Sequence, residues 1–321
     1  MKAGVSIVVP ALRAGKELER CLASLAAALS LRSGLDEVLL VDDSGSSSVA
    51  QWAVAGAPFA RVVDTGQNLG FARALGAGLA QAQRELAFSL NSDAAVRPGF
   101  LDPLAAALRP PEVFAAVPRV LRRGESERVE SLVRLELSDG RVRVRQPCVE
   151  VPAEAAPAQA LRAIRPVPFA LGGAFLARTA ELLESGGFDP LFEPFYLEDV
   201  DLGWRAWRNG RRCVHVPESV VEHTNQGTIG EVVPRDLALD AIEKNLLLFQ
   251  WKHLDGEALA EHLEALDRRA LDAWLCGERR DLEVLALALE QLEPALAARA
   301  RLPKPVASFA ELAQRSDPFG A

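Results

Sequence analysis

Two stretches decide the fold: Val5-Ser6-Ile7-Val8-Val9-Pro10 and, further on, Glu37-Val38-Leu39-Leu40-Val41-Asp42-Asp43-Ser44-Gly45-Ser46. Each opens with a short, nearly continuous apolar run, the pattern of a strand buried on both faces. Between them, Leu18, Leu22, Leu25 and Leu29 recur at helical spacing within residues 17–31. The alternation continues with predicted strands at 60–63, 86–90 and 113–117 and helical stretches at 47–55, 71–82 and 98–108. Strands of this kind separated by helices imply an α/β fold, a mostly parallel Rossmann-like sheet with helices on both faces. Ligands bind such sheets beyond the carboxyl ends of the strands, so the loops after Val9, Val41, Val63 and Leu90 are the ones to read.

Further along, Val133, Leu135 and Leu137 alternate with polar residues, and Asp139-Gly140 makes a turn before Val142 and Val144. A two-residue Asp-Gly loop pairs Leu137 with Val142, Leu135 with Val144 and Glu136 with Arg143, an added β-hairpin. Its Arg141, Arg143 and Arg145 read equally as a solvated strand face or as a surface meeting an anionic acceptor. A Pro/Ala-rich connector follows at 151–160, then an apolar stretch at 167–177 carrying Gly172-Gly173. A helix is expected from Glu198 to Gly210, with Val200, Trp204 and Trp207 on one face and Asp201 paired to Arg205, and a strand at 212–216. The organisation expected is a catalytic domain over 1–233, with a hairpin insertion at about 119–147, and a helical C-terminal extension over 234–321.

The 321 residues are 49% hydrophobic and 25% charged, ordinary for a protein with a real core. A net charge of −8 argues against nucleic acid as a partner. Cys21, Cys148, Cys213 and Cys276 are widely spaced without a CxxC, so reduced, mostly buried thiols are expected. The apolar run after Lys2 is too short for a signal peptide, and no run is long enough for a transmembrane helix. The expected location is cytoplasmic, with room for a peripheral stay at the inner membrane face.

The loop Pro10-Ala11-Leu12-Arg13-Ala14-Gly15 is not GxGxxG, so a dinucleotide site is excluded there. Asp42-Asp43-Ser44-Gly45-Ser46 offers carboxylates that accept hydrogen bonds from a base or ribose, although alone it reads better as a turn with a helix cap. Asn68-Leu69-Gly70-Phe71 opens a helix, where capping by Asn68 is the simpler reading. Gly76 and Gly78 inside that helix cost about 1 kcal/mol each relative to alanine, which calls for close packing or a ligand. Leu90-Asn91-Ser92-Asp93 places an acid at a strand's carboxyl end, where it can hold a divalent cation against a diphosphate. The densest stretch is Gly187-Phe188-Asp189-Pro190 followed by Tyr196-Leu197-Glu198-Asp199-Val200-Asp201-Leu202. The helix dipole favours such acids without catalysis, but explains less easily three carboxylates beside two tryptophans.

In this order, these pieces resemble the family 2 glycosyltransferases of the GT-A fold. The likeness covers roughly residues 5 to 230, and reaches Glu243-Lys244-Asn245 and Trp251-Lys252 more faintly. It implies a nucleotide-diphosphate sugar donor, held by Pro10, Asp42, Asp43, Asn68, Gly70, Ser92 and Gly173. It implies a divalent cation, Mn2+ or Mg2+, on Asp93 and His223, and Asp199 as general base with Glu198 before it. Two departures stand out: Asn91 replaces the first acid of the family's Asp-x-Asp, and Gly76 replaces an asparagine often found in the glycine-rich helix.

The implied reaction moves a sugar to an acceptor hydroxyl with inversion, in cell-surface polysaccharide or glycoconjugate synthesis. The acceptor, lipid-linked or polysaccharide, is not named by any residue. Two rivals share parts of the pattern. A sugar nucleotidyltransferase is disfavoured by the loop after Val9 and by the Glu198–Leu202 cluster. A non-catalytic nucleotide-sugar binder is disfavoured by Asp93, Asp199 and His223.

Overall fold

A computed structural model describes residues 4–32, 34–150, 162–224 and 233–320, without the side chains of 126, 127, 149 and 150. The expected connector at 151–160 lies outside the described residues, as do 225–232, just before the expected domain boundary. The elements run β1 (Val5–Ala11), α1 (Lys16–Leu29), β2 (Glu37–Asp42), α2 (Ser48–Gly56), β3 (Arg61–Asp64), α3 (Phe71–Leu79), β4 (Leu86–Leu90) and β5 (Ala94–Val96). Then come α4 (Leu101–Ala107), β6 (Val113–Arg122), β7 (Glu125–Val129), β8 (Arg134–Ser138), β9 (Arg141–Arg145), α5 (Pro147–Glu150) and β10 (Arg165–Val167). Next are β11 (Ala174–Arg178), α6 (Thr179–Glu184), α7 (Glu198–Arg208) and β12 (Arg212–His223). Five helices follow: α8 (Arg235–His253), α9 (Gly256–Cys276), α10 (Arg279–Leu289), α11 (Leu292–Arg301) and α12 (Phe309–Arg315).

The main sheet has the order β10-β12-β6-β11-β4-β1-β2-β3, with β5 on β12 and β7 on β6. Strands β3, β2, β1 and β4 are mutually parallel, as are β6 and β12, while β11 runs antiparallel between the two sets. β1 and β4 are buried throughout, because helices cover both faces. On one face Leu18, Leu22 and Leu25 of α1 pack with Ile7, Leu40 and Phe88. On the other, Leu75, Trp204, Leu248 and Phe249 join Val8 and Val41 in one core. The helices beyond Pro234 therefore share their core with the sheet, and Trp204 stacks on Phe309 of α12 with ring centroids 4.5 Å apart.

Two strands outrun the sequence reading. β6 continues past Pro118, and β12 continues past Pro217 through a register shift between Val216 and Val220. Proline cannot donate to a ladder, and an irregularity absorbs the missing N–H without ending the strand. The extension carries His223 opposite Ala94 of β5, next to the loop that follows β4.

The hairpin has the expected register, Leu137 against Val142 and Leu135 against Val144. Asp139 and Gly140 both have positive φ, 53° and 67°, as the tight turn demands. A Cβ on Gly140 would lie 2.4 Å from the Glu261 carbonyl oxygen, so the turn docks directly on α9. The arginines are ion-paired within the protein: Arg141 with Glu243 at 3.1 Å, Arg145 with Glu136 at 3.3 Å and Arg143 with Asp139 at 3.8 Å. Those pairs favour the structural reading of the strand face. All four cysteines are free, and only Cys276 is exposed.

Candidate active site

The residues singled out in the sequence gather into three groups at the carboxyl ends of β1, β2 and β4. The first is the β2 loop. Asp42 is fully buried, and its two oxygens accept from the Ser44 N–H at 2.9 Å and the Ala50 N–H at 2.7 Å. In this structure the carboxylate shapes the turn into α2. Pro10 is likewise buried, opposite Val41 in the β1–β2 ladder, so it lies within the strand and not in a loop. Asp43 accepts from the N–H groups of Leu69 and Gly70 at 2.6 and 3.0 Å, tying the β2 loop to the start of α3. Asn68 is exposed and closes a local turn by accepting from the Gly70 N–H at 3.0 Å.

The second group is the loop after β4. Asn91 donates its N–H to the Gly173 carbonyl at 2.8 Å, and a Cβ on Gly173 would lie 2.6 Å from the Asn91 amide nitrogen. A larger residue at Gly173 would push the Asn91 side chain aside where the two segments touch. Ser92 is partly exposed beside them. Asp93 Oδ1 lies 3.3 Å from His223 Nε2. Asp93 Oδ2 and His223 Nε2 are both buried without a hydrogen-bond partner, which is costly unless a ligand completes them.

The third group opens α7. Asp199 accepts from the Gly172 N–H at 3.0 Å and the Val200 N–H at 2.8 Å. Gly172 is also crowded, since a Cβ there would lie 3.2 Å from Phe71 and 3.5 Å from Cβ of Asp199. The Gly172-Gly173 pair thus joins two groups, holding Asp199 through one residue and the Asn91–Asp93 loop through the next.

Comparison with known proteins bears on this arrangement. The sequence model for glycosyl transferase family 2 matches residues 6–163. The chain is 30% identical over 242 residues to the N-acetylglucosaminyl-diphospho-decaprenol L-rhamnosyltransferase of Mycobacterium tuberculosis, covering 67% of this chain and 74% of that protein. The chain belongs to glycosyl transferase family 2. Its structure resembles GalNAc-T7 with UDP, GalNAc and Mn2+ at a TM-score of 0.61 and 18% identity, over 78% of this chain and 49% of that one. It also resembles residues 1–349 of TarS from S. aureus at a TM-score of 0.53 and 16% identity, over 98% of this chain and 88% of that one. These likenesses establish the GT-A fold, and the family makes the protein a glycosyltransferase that uses a nucleotide-sugar donor.

In this family 2 glycosyltransferase, Glu130 contacts His223, a relationship that the sequence did not disclose. Its carboxylate lies 2.8 Å from His223 Nδ1 and accepts from Arg122 Nε at 3.2 Å. Burial disfavours charge on His223, but the Asp93 and Glu130 carboxylates outweigh it and raise the imidazole to about 10. Among the described residues, no three His, Cys, Asp or Glu side chains converge as a metal cluster. Without an ion the two carboxylates hold His223 protonated; a divalent cation would displace that proton, and the Asp93 oxygen and the freed imidazole nitrogen would then suit it as ligands.

Glu198 and Asp199 form a coupled pair. Burial first, and then the Asp199 charge, push Glu198 up to about 8. Burial also raises Asp199, against the pull of its backbone N–H partners. Those two donors favour ionised Asp199, while Glu198 keeps a buried oxygen without a partner. The pair therefore holds a proton more tightly than free carboxylates do, with the backbone donors favouring charge on Asp199.

Helix α8 braces this site from behind. Asn245 donates to the carbonyls of Phe192, Phe195 and Tyr196 at 2.7, 3.0 and 2.9 Å, fixing the segment that leads into α7. Lys252 lies 2.7 Å from Asp189 and 2.6 Å from Asp201, and His253 and Arg205 complete the cage around Asp201.

Proposed function

We propose that the protein is an inverting, divalent-cation-dependent glycosyltransferase in which Asp199 is the general base. The observation that carries this reading is the Gly172-Gly173 turn, whose two residues hold the Asp199 carboxylate and the Asn91–Asp93 loop. A base for the acceptor and a ligand for the leaving group are thereby set in one frame. The acceptor hydroxyl gives its proton to Asp199 as it attacks the anomeric carbon, and a single displacement inverts that centre. Bound at Asp93 and His223, Mn2+ or Mg2+ supplies positive charge for the departing diphosphate. Asp43, Asn68, Gly70, Ser92 and Gly173 form the nucleotide-sugar cradle, with Asp42 and Pro10 behind it. Holding both substrates in register and excluding water complete the protein's task, since water would hydrolyse the donor.

The acceptor we propose is a lipid-linked glycan precursor of the cell envelope, as the name of the mycobacterial relative suggests for that enzyme. Among the described residues no helix is long and apolar enough to cross a membrane. The enzyme is proposed to work from the cytoplasm, at the inner membrane face. Nucleoside diphosphates with Mn2+ or Mg2+, screened by thermal shift, test the reading. A ligand at a hundred times its Kd stabilises by about 2.7 kcal/mol, and no metal-dependent shift with any nucleotide would overturn it.

A further inference from the structure

Two glycines interrupt α3, and only one has a packing reason. A Cβ at Gly78 would lie 2.3 Å from Val8 Cγ1 and 2.7 Å from Val41 Cγ2, so nothing larger fits against the sheet. A Cβ at Gly76 would meet nothing within 4 Å. Glycine in a helix interior is less favourable than alanine, so packing within this chain does not account for Gly76. Gly76 instead lines a cavity of about 380 Å³ between α3 and the segment after α6. The lining is mainly apolar, formed by Leu75, Leu79, Phe175, Leu182 and Phe188. Gly186 and Gly187 line it as well, their positive φ of 78° and 61° being reason enough for glycine. The charged lining residues are Arg73 and Glu193, joined through both carboxylate oxygens of Glu193.

The cavity adjoins the catalytic frame. The Phe188 ring lies 5.9 Å from Phe71 and 6.4 Å from Phe175, and it borders Gly172, whose N–H holds Asp199. A chain lying in the cavity would leave its head group on the side of the base. We propose that this cavity takes the hydrocarbon tail of an isoprenoid-phosphate-linked acceptor, whose phosphate would compete with Glu193 for Arg73. The assignment rests on the transfer reading above. A sugar would need several convergent polar groups, whereas this lining offers one ion pair beside apolar walls, which suits a chain that loses its water on binding.

Gly76→Leu tests the assignment, because it fills the cavity with a good helix former at an unhindered position. Its melting temperature should equal or exceed that of the parent protein. Calorimetry in EDTA, with farnesyl phosphate and inorganic phosphate as probes, reads the site without the donor's metal. The parent protein should bind farnesyl phosphate at least about tenfold more tightly than phosphate, and Gly76→Leu should lose that preference. Equal binding of both probes by the parent, or a preference that survives in folded Gly76→Leu, overturns the proposal. Failure of the transfer reading would show separately, as absence of Mn2+-dependent nucleotide binding by the parent.

Discussion

His223 Nδ1 lies 2.8 Å from Glu130 Oε2, although 93 positions separate the two residues. The pairing exists because β12 runs beside β6 to its end, where His223 stands opposite Arg122, the residue that also holds Glu130. A carboxylate behind a metal-binding imidazole fixes its tautomer and aims the other nitrogen at the ion. Here that other nitrogen is the one facing Asp93.

Glu130→Gln should therefore weaken Mn2+ binding in the presence of a nucleoside diphosphate by about 10–100-fold. Electron paramagnetic resonance titration of free Mn2+ measures this directly. Affinity that stays at the parent value would assign Glu130 to holding Arg122 alone.

Asp93→Ala removes one of the two proposed ligands. Nucleoside-diphosphate affinity should fall markedly with Mn2+ present and little in EDTA, and transfer should be lost in chelated enzyme. Full transfer by a metal-free preparation would sink the cation's role.

Asp199→Asn should lower kcat by about 10²–10⁴, or about 3–5 kcal/mol of barrier. Donor affinity should stay near the parent value, because the base serves the acceptor. The substitution also sets an amide N–H against one of the two backbone donors, from Gly172 or Val200, at a cost of about 1–3 kcal/mol in stability. Turnover, donor Kd and melting temperature are thus read together. A folded variant with nearly normal turnover would move the base to Glu198.

The pH dependence of stability follows from the coupled Glu198–Asp199 pair, in which burial raises both acids and pushes Glu198 up to about 8, against about 4.3 when unfolded. The folded state then holds the extra proton between those values, so the protein loses stability as pH rises through this window. Glu198→Gln carries no such charge. Its melting temperature relative to the parent should climb between pH 5 and pH 9, and parallel curves would refute the buried, proton-holding pair.

Lys252 is 2% exposed and bridges Asp189 and Asp201. Lys252→Met would leave Asp189 without its cation, and breaking a buried pair in this way costs about 3–5 kcal/mol. Urea denaturation should show that loss. A shift under 1 kcal/mol would mean that Arg205 and His253 suffice for Asp201.

The sequence by itself determined the layered α/β order and the hairpin register, because periodicity and turn chemistry are local, whereas roles for Asp93, Asp199 and His223 came from the family resemblance. The apolar runs of β1 and β2 and the Asp139-Gly140 turn act within a few residues of themselves. Continuation of β12 beyond Pro217 was not legible, since a proline ends or bends a strand according to what its neighbour strand allows. Glu130 carried no local signal either, as one acid in a charged stretch, and only the parallel pairing of β6 with β12 brings it to His223. Asp42 looked like a ligand contact, and its burial became visible only with the Ser44 and Ala50 donors around it. Gly76 and Gly78 are identical as letters in the chain. The tertiary structure alone sets one against Val8 and the other over open space, because what surrounds a missing side chain is decided by elements distant in sequence.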